Sequence, residues 1–307
     1  MKEDIVVNKG SKYPLNGELM VPEGEGPFKA VVLIQGSGPS DRDETIFGNK
    51  PFKDIAEYLC DNGIASIRYD KRTFVYGKQM VKEDVGGITV KEEVIEDAVS
   101  ATNLLRNDSR IASDQIFLLG HSLGASLAPR IHAEGGNYAG LLMLAGTARG
   151  LDEVIIDQTN DSLSQLNAFL RWIGNKQAKK LSKKFEEMKT IDENTARRTK
   201  IMGNVYAWYI KEMNEHPVSN YLPSINIPVF VVQGEKDFQV SIEKDFNRFK
   251  EMSKNNDLIT FKTYPTLNHL FMPSVYGRIR NFKKEYSIPA HVDEEVLGDI
   301  VNFINGL

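Results

Sequence analysis

From Lys29 onward, short β-branched apolar runs alternate with longer amphipathic stretches, a pattern that predicts crossover units and a mostly parallel sheet. The predicted strands cover residues 30–35, 64–70, 115–120, 139–145, 229–234 and 258–264, and the predicted helices cover 52–61, 94–106, 123–134, 243–252 and 294–304. The apolar runs are continuous rather than alternating, as expected of strands covered by helices on both faces. Upstream, residues 5–8 and 13–21 read as antiparallel strands around Asn16-Gly17, a dipeptide suited to a tight hairpin turn, and extend one sheet edge.

The pattern breaks between 151 and 222, where strands vanish and the residues become helical, polar and long-chained. Residues 1–150 and 223–307 therefore read as one α/β core, with 151–222 as an insertion. Within it, residues 171–200 hold ten Lys or Arg against four Asp or Glu. Such an excess suits a solvated helix face, or a field that attracts anionic substrates.

Composition narrows the partners. The 307 residues carry 38 basic and 42 acidic side chains, a net charge of −4, so no concentrated positive face for nucleic acid is expected and a small molecule is the better partner. Cys60 is the only cysteine, which excludes an intrachain disulfide and any four-thiolate metal site. The amino terminus lacks an apolar stretch of signal-peptide length, and no run suits a membrane span, so a soluble cytoplasmic protein is expected. No His-Glu-x-x-His or Cys-x-x-Cys occurs, and no catalytic metal is expected. The loop after residue 35 is neither a dinucleotide fingerprint nor a phosphate loop, which disfavours nucleotides.

The most informative stretch runs from Gln115 through Gly120-His121-Ser122-Leu123-Gly124 into a helix-prone segment. Gly-x-Ser-x-Gly arises by chance roughly 0.1 times in a chain of this composition, so its place between strand and helix is what gives it weight. A serine raised above a sheet end on a sharp turn needs neighbours without bulk two residues either way. It also sits beside the first turn of a helix, whose free N–H groups favour a developing anion.

A serine hydroxyl becomes a competent nucleophile only with a base and a carboxylate that orients the base. Of His121, His132, His216, His269 and His291, His269 follows the last strand by a few residues at the sheet's carboxyl edge, with His291 as the competing base. Asp237, just past the penultimate strand, is the favoured acid, with Glu235 and Asp152 as alternatives and helix capping as its non-catalytic role. An oxyanion needs backbone donors. Leu123 N–H is expected to be one, and Ser37 N–H, favoured over Gly36 N–H, the other. Gly36, Arg42, Arg72, Trp172 and Trp208 are candidate substrate contacts. For Arg42 and Arg72, an internal ion-pair network is the alternative, and Phe169, Tyr206 and Tyr209 are further aromatic candidates for a pocket roof.

With the order Ser122, Asp237, His269, the chain resembles the α/β-hydrolase superfamily from about Gly17 to Leu307. Within it, residues 35–43, Gln-Gly-Ser-Gly-Pro-Ser-Asp-Arg-Asp, and Asp70-Lys71-Arg72 resemble bacterial carboxylesterases of the EstD type, related to the dienelactone-hydrolase-like and cinnamoyl-esterase-like branches. Many relatives carry His where this chain has Gln35. The resemblance implies a cofactor-independent hydrolase, a mostly parallel eight-stranded sheet and a helical cap after the sixth strand. It also implies Ser122 as nucleophile, His269 as base, Asp237 as orienting acid, and Ser37 with Leu123 as the oxyanion hole. The expected substrate is a small or medium ester and a homodimer is the assembly to be tested. A thioesterase or peptidase with the same triad, or a non-catalytic ligand-binding protein, are the competing functions.

Overall fold

The computed structural model describes residues 1–84 and 86–307. Its strands are β1 (Lys2–Val7), β2 (Leu15–Met20), β3 (Phe28–Ile34), β4 (Ala65–Tyr69), β5 (Ile111–His121), β6 (Gly140–Leu144), β7 (Lys200–Met202), β8 (Val205–Tyr206), β9 (Val229–Gly234) and β10 (Ile259–Tyr264). Eight of them form one sheet in the order β1-β2-β4-β3-β5-β6-β9-β10. The pairs β1·β2 and β2·β4 are antiparallel and all others parallel, so the sheet is mostly parallel with a hairpin at one edge.

The helices are α1 (Pro51–Asp61), α2 (Arg72–Asp84), α3 (Glu96–Arg106), α4 (Leu123–Ile131), α5 (Leu151–Ser164), α6 (Ala168–Met188), α7 (Glu193–Ala196), α8 (Ala207–Glu215), α9 (Asn247–Met252), α10 (Phe282–Tyr286) and α11 (Glu294–Asn305). Helices α1 and α11 cover one face of the sheet, where Phe52, Leu59, Val296 and Ile300 pack on Leu33, Phe117 and Leu142. Helices α3 and α4 cover the other, where Ala98, Leu105, Leu127 and Ile131 pack on Val32, Leu118 and Leu141. Each of the larger side chains among these, the Val, Leu, Ile and Phe, contributes about 1.5–3 kcal/mol by leaving water, which is why the central strands tolerate no polar alternation.

The chain runs from β3 to β4 on one side and then crosses back to β5 on the other. The loops that leave the carboxyl ends of β3 and β5 therefore diverge and open a crevice, the place where such sheets bind ligands.

The segment between β6 and β9 holds α5 to α8. It has a small apolar core of its own, made by Phe185, Met188, Ala196, Ile201, Ala207 and Ile210. Its last turns behave differently: Val218 and Leu222 are buried in the main core.

Three expectations need correcting. Asn16-Gly17 does not turn the hairpin; both residues lie inside β2, opposite Val6 and Ile5. Glycine is required there by close packing, since a Cβ would stand 2.6 Å from Ile5 Cδ1 and 2.7 Å from the Arg68 carbonyl. The chain instead reverses between β1 and β2 near Asn8 and Gly10, both at positive φ. Second, the inserted segment is not strand-free: β7 and β8 pair as a short antiparallel ribbon. Third, the stretch after β4, for which no element is expected, forms α2; it is polar overall and buries only Arg72 and Met80, so no apolar run marks it. No helix among the described residues is long and apolar enough to cross a membrane.

Candidate active site

Ser122 occupies the turn from β5 into α4 with φ 53° and ψ −115°. A side chain other than glycine's is strained there by about 1–3 kcal/mol, which the surroundings must hold in place. The surroundings are backbone. A Cβ on Gly120 would run into the Gly124 carbonyl, and one on Gly124 into the Ile34 carbonyl, so only glycine lets strand, turn and helix pass this closely. The Ser122 amide also donates to the Leu144 carbonyl at 2.8 Å, tying the turn to β6.

His269 lies on the loop after β10 and is 4% exposed. Its Nδ1–H donates to Asp237 Oδ2 at 2.6 Å. Asp237 is itself saturated: Oδ1 accepts from the amides of Gln239 (2.7 Å) and Val240 (3.0 Å), and Oδ2 also accepts from Gln233 Nε2 (2.7 Å). The carboxylate has no exposed side-chain surface. A buried acceptor so surrounded fixes both the tautomer and the ring plane of the histidine it holds. Helix capping falls to Ser241, whose Oγ accepts from the Lys244 amide, so Asp237 is free for His269.

The other candidates are engaged elsewhere. Glu235 accepts from Thr263, Asp152 from Asn214, and His291 is largely exposed beside Asp54. His132 accepts from the Tyr138 amide and His216 meets the Tyr221 hydroxyl.

Ser122 and His269 line one cavity of about 1540 Å³. Ser37 and Leu123 line it too, and their amides donate to no acceptor among the described residues. Gly36 also lines it, but its N–H is bound to Glu44 Oε1 at 2.6 Å, so of these two neighbouring amides it is Ser37 that remains free to donate. Gln35 is buried and donates from Nε2 to the Tyr69 carbonyl at 2.5 Å, so its side chain anchors the loop to the end of β4.

Of the proposed substrate contacts, only Gly36 borders the cavity. Arg42 is held by both oxygens of Asp70, and Arg72 by Asp97 and Glu96, so both belong to ion-pair networks. Trp172 is 57% exposed and carries Lys176 over its ring, while Trp208 stacks with Arg197. Among the inserted aromatics, Tyr206 and Tyr209 reach the cavity and Phe169 does not. Lys189 is the member of the basic segment that borders it.

A group of mostly buried polar side chains forms part of this wall and carries no signal in the sequence. His121 Nε2 donates to the His269 carbonyl at 2.9 Å, and its Nδ1 faces Glu44 Oε2 at 2.9 Å. Burial pulls the imidazole's pKa down, yet the Glu44 carboxylate outweighs it and holds the group above its ordinary value. The residue before Ser122 thus links the His269 loop to the Gly36 loop. Lys71 and Glu93 form a second such group. Side chains brought together from separate loops leave no local motif. The described residues contain no cluster of His, Cys, Asp and Glu able to hold a metal.

A family model described as serine aminopeptidase, S33 (Hydrolase_4) matches residues 49–273. Esterase EstD of Thermotoga maritima is 35% identical to this chain, covering 99% of it and 67% of that protein. Among solved structures, Est1E from Butyrivibrio proteoclasticus superposes with a TM-score of 0.59 at 15% identity, covering 98% of this chain and 99% of that one. The Pyrococcus furiosus esterase Pf2001 gives 0.58 at 16%, covering 100% and 91%. These two likenesses establish the shared fold, and the expected kinship with EstD is borne out by sequence. The chain belongs to the Hydrolase_4 (S33) family of α/β hydrolases.

Proposed function

We propose that this protein is a serine carboxylic ester hydrolase. The observation that carries the reading is the buried Asp237–His269 hydrogen bond on the wall of the cavity that Ser122 also lines. The Ser122 oxygen attacks the ester carbonyl as His269 Nε2 takes its proton. The carbonyl oxygen becomes an oxyanion that accepts from the Ser37 and Leu123 amides, donors pointed where charge develops. As the tetrahedral species collapses, the alcohol leaves with the proton from His269, and water then releases the acid from Ser122 by the same steps. Residues 151–222 act as a cap whose Tyr206, Tyr209 and Met213 roof the pocket.

The 35% identity to EstD supports an ester over an amide as substrate. The family model's description as an aminopeptidase favours a second reading, removal of amino-terminal residues from peptides. Rates on p-nitrophenyl esters of graded chain length, acyl-CoA thioesters and aminoacyl anilides separate these, with the esters expected to be fastest. In the same panel Ser122→Ala is expected to lose roughly 10⁴- to 10⁶-fold in kcat while folding normally, the cost of removing a triad nucleophile. A variant with most of its activity intact would discard the mechanism.

A further inference from the structure

Lys71 and Glu93 are buried ionic side chains outside the proposed proton relay. Lys71 is 2% exposed and follows the end of β4; Glu93 is 6% exposed and sits in the turn of π-helix before α3. The Lys71 ammonium lies 3.2 Å from Glu93 Oε1 and donates to the Gly36 carbonyl at 2.9 Å. Glu93 Oε1 also accepts from the Thr73 hydroxyl at 2.9 Å, and Oε2 accepts from the hydroxyl of Tyr209 on α8 at 2.7 Å. Burial alone would raise the Glu93 pKa, but the Lys71 charge and these hydroxyl donors hold it below the ordinary carboxylate value. Withdrawing two charges from water is costly, and a hydrophobic pair would often stabilise a fold as well or better. Stability alone is therefore a weak reason for an ion pair here.

The geometry points to another reason. Gly36 C=O and Ser37 N–H belong to the same trans peptide unit, so they point in opposite directions. Gripping the carbonyl fixes where the amide points. On the other side of Gly36, the N–H is gripped by Glu44, and a Cβ on Gly36 would stand 3.0 Å from Ser122 Cβ, so the unit lies against the serine. A cation on the carbonyl also draws electron density from the amide and makes its N–H a stronger donor.

We propose that Lys71 is a positioning residue for the oxyanion donor Ser37 N–H, and that the chain Tyr209–Glu93–Lys71–Gly36 couples the cap helix α8 to that donor. This rests on the esterase reading above and names how its oxyanion hole is set. With the cap helix seated, the Tyr209 hydroxyl completes the shell around Glu93, Glu93 holds Lys71, and Lys71 turns the peptide. The roof over the substrate and the donor beneath it are thus parts of one hydrogen-bonded assembly.

The test is the charge-neutral pair Lys71→Met/Glu93→Gln, which avoids leaving one buried ion unpartnered, assayed beside Ser122→Ala. The expected result on a short p-nitrophenyl ester is a fall in kcat of about 10- to 100-fold with KM little changed, somewhat less than outright removal of an oxyanion donor. The inhibition constant of a trifluoromethyl ketone, whose serine adduct carries an oxyanion, is expected to rise by a similar factor. A folded double variant with wild-type kcat overturns the proposal, as does one whose kcat falls with no change in ketone affinity. If the pair does not fold, Tyr209→Phe decides: a parallel loss of roughly 3-fold in kcat and ketone affinity supports the coupling, and unchanged values overturn it. Ser122→Ala keeps the two claims apart. If it stays active the esterase mechanism falls, whereas if it is inactive while the Lys71 variants behave as wild type, only the coupling falls.

Discussion

The loops at the carboxyl edge of the sheet and the segment 151–222 border the same cavity but are built by different means. In the loops, polar groups are buried and paired: Asp237 accepts four hydrogen bonds, and Gly36 is held at both its N–H and its C=O. In the inserted segment, α6 leaves Phe169, Leu170, Trp172 and Ile173 each more than 40% exposed, and its ion pairs, such as Lys183–Glu187, lie at the surface. Exposed pairs of that kind add little stability. Buried and saturated acceptors, by contrast, hold a reacting group within fractions of an ångström. The difference separates a part that must keep its geometry from a part whose surface can vary.

The comparison can be broken from either side. The largest effect is expected in the loops. Asp237→Asn is expected to lower kcat about 10⁴-fold by releasing the His269 tautomer, with the melting temperature changing far less than activity; steady-state kinetics beside a thermal melt checks it, and equal damage to both would mean that Asp237 serves mainly the fold. Next comes the core of the inserted segment. Phe185→Ala is expected to cost about 3–5 kcal/mol locally. Hydrogen exchange should then show α6 losing protection while the amides of Gln239 and Val240, bonded to Asp237, keep theirs. Loss of protection in both places would show one cooperative unit instead of two. The smallest effect belongs to the exposed face: Trp172→Ala is expected to change stability by no more than about 0.5 kcal/mol, with ester turnover unchanged, as equilibrium denaturation and the ester panel would show.

The two regions also differ in how legible they are in the sequence. The central strands are legible because burial on both faces leaves a continuous apolar run, and the run 229–234 coincides with β9 residue for residue. The bend at Ser122 was legible because packing there is so tight that glycine is demanded at two fixed spacings. Asp237 and His269 could be proposed from their places after β9 and β10, since a parallel sheet delivers every such loop to one edge. Other features depended on contacts that no spacing encodes. Asn16-Gly17 resembles a turn, yet what requires glycine is the neighbouring strand β4. Arg42 and Arg72 stand at the right edge, but their guanidinium groups turn to Asp70 and Asp97. Trp172 and Trp208 lie on helices with weak apolar faces, so the side facing the cavity could not be read. Lys71, Glu93, Glu44 and His121 come from four separate places in the chain and meet only when it folds.

The bend at Ser122 has a consequence for descent within this family. Gly120, Gly124, the Ile34 carbonyl and the bond from the serine amide to Leu144 impose that bend, and none of them involves the hydroxyl. A thiol or a carboxylate substituted at this corner would be presented at the same spot without any rebuilding of the scaffold. Under the proposed mechanism the architecture is a socket for its nucleophile, so a change of reaction type calls for a new side chain and a suitable partner rather than a new fold.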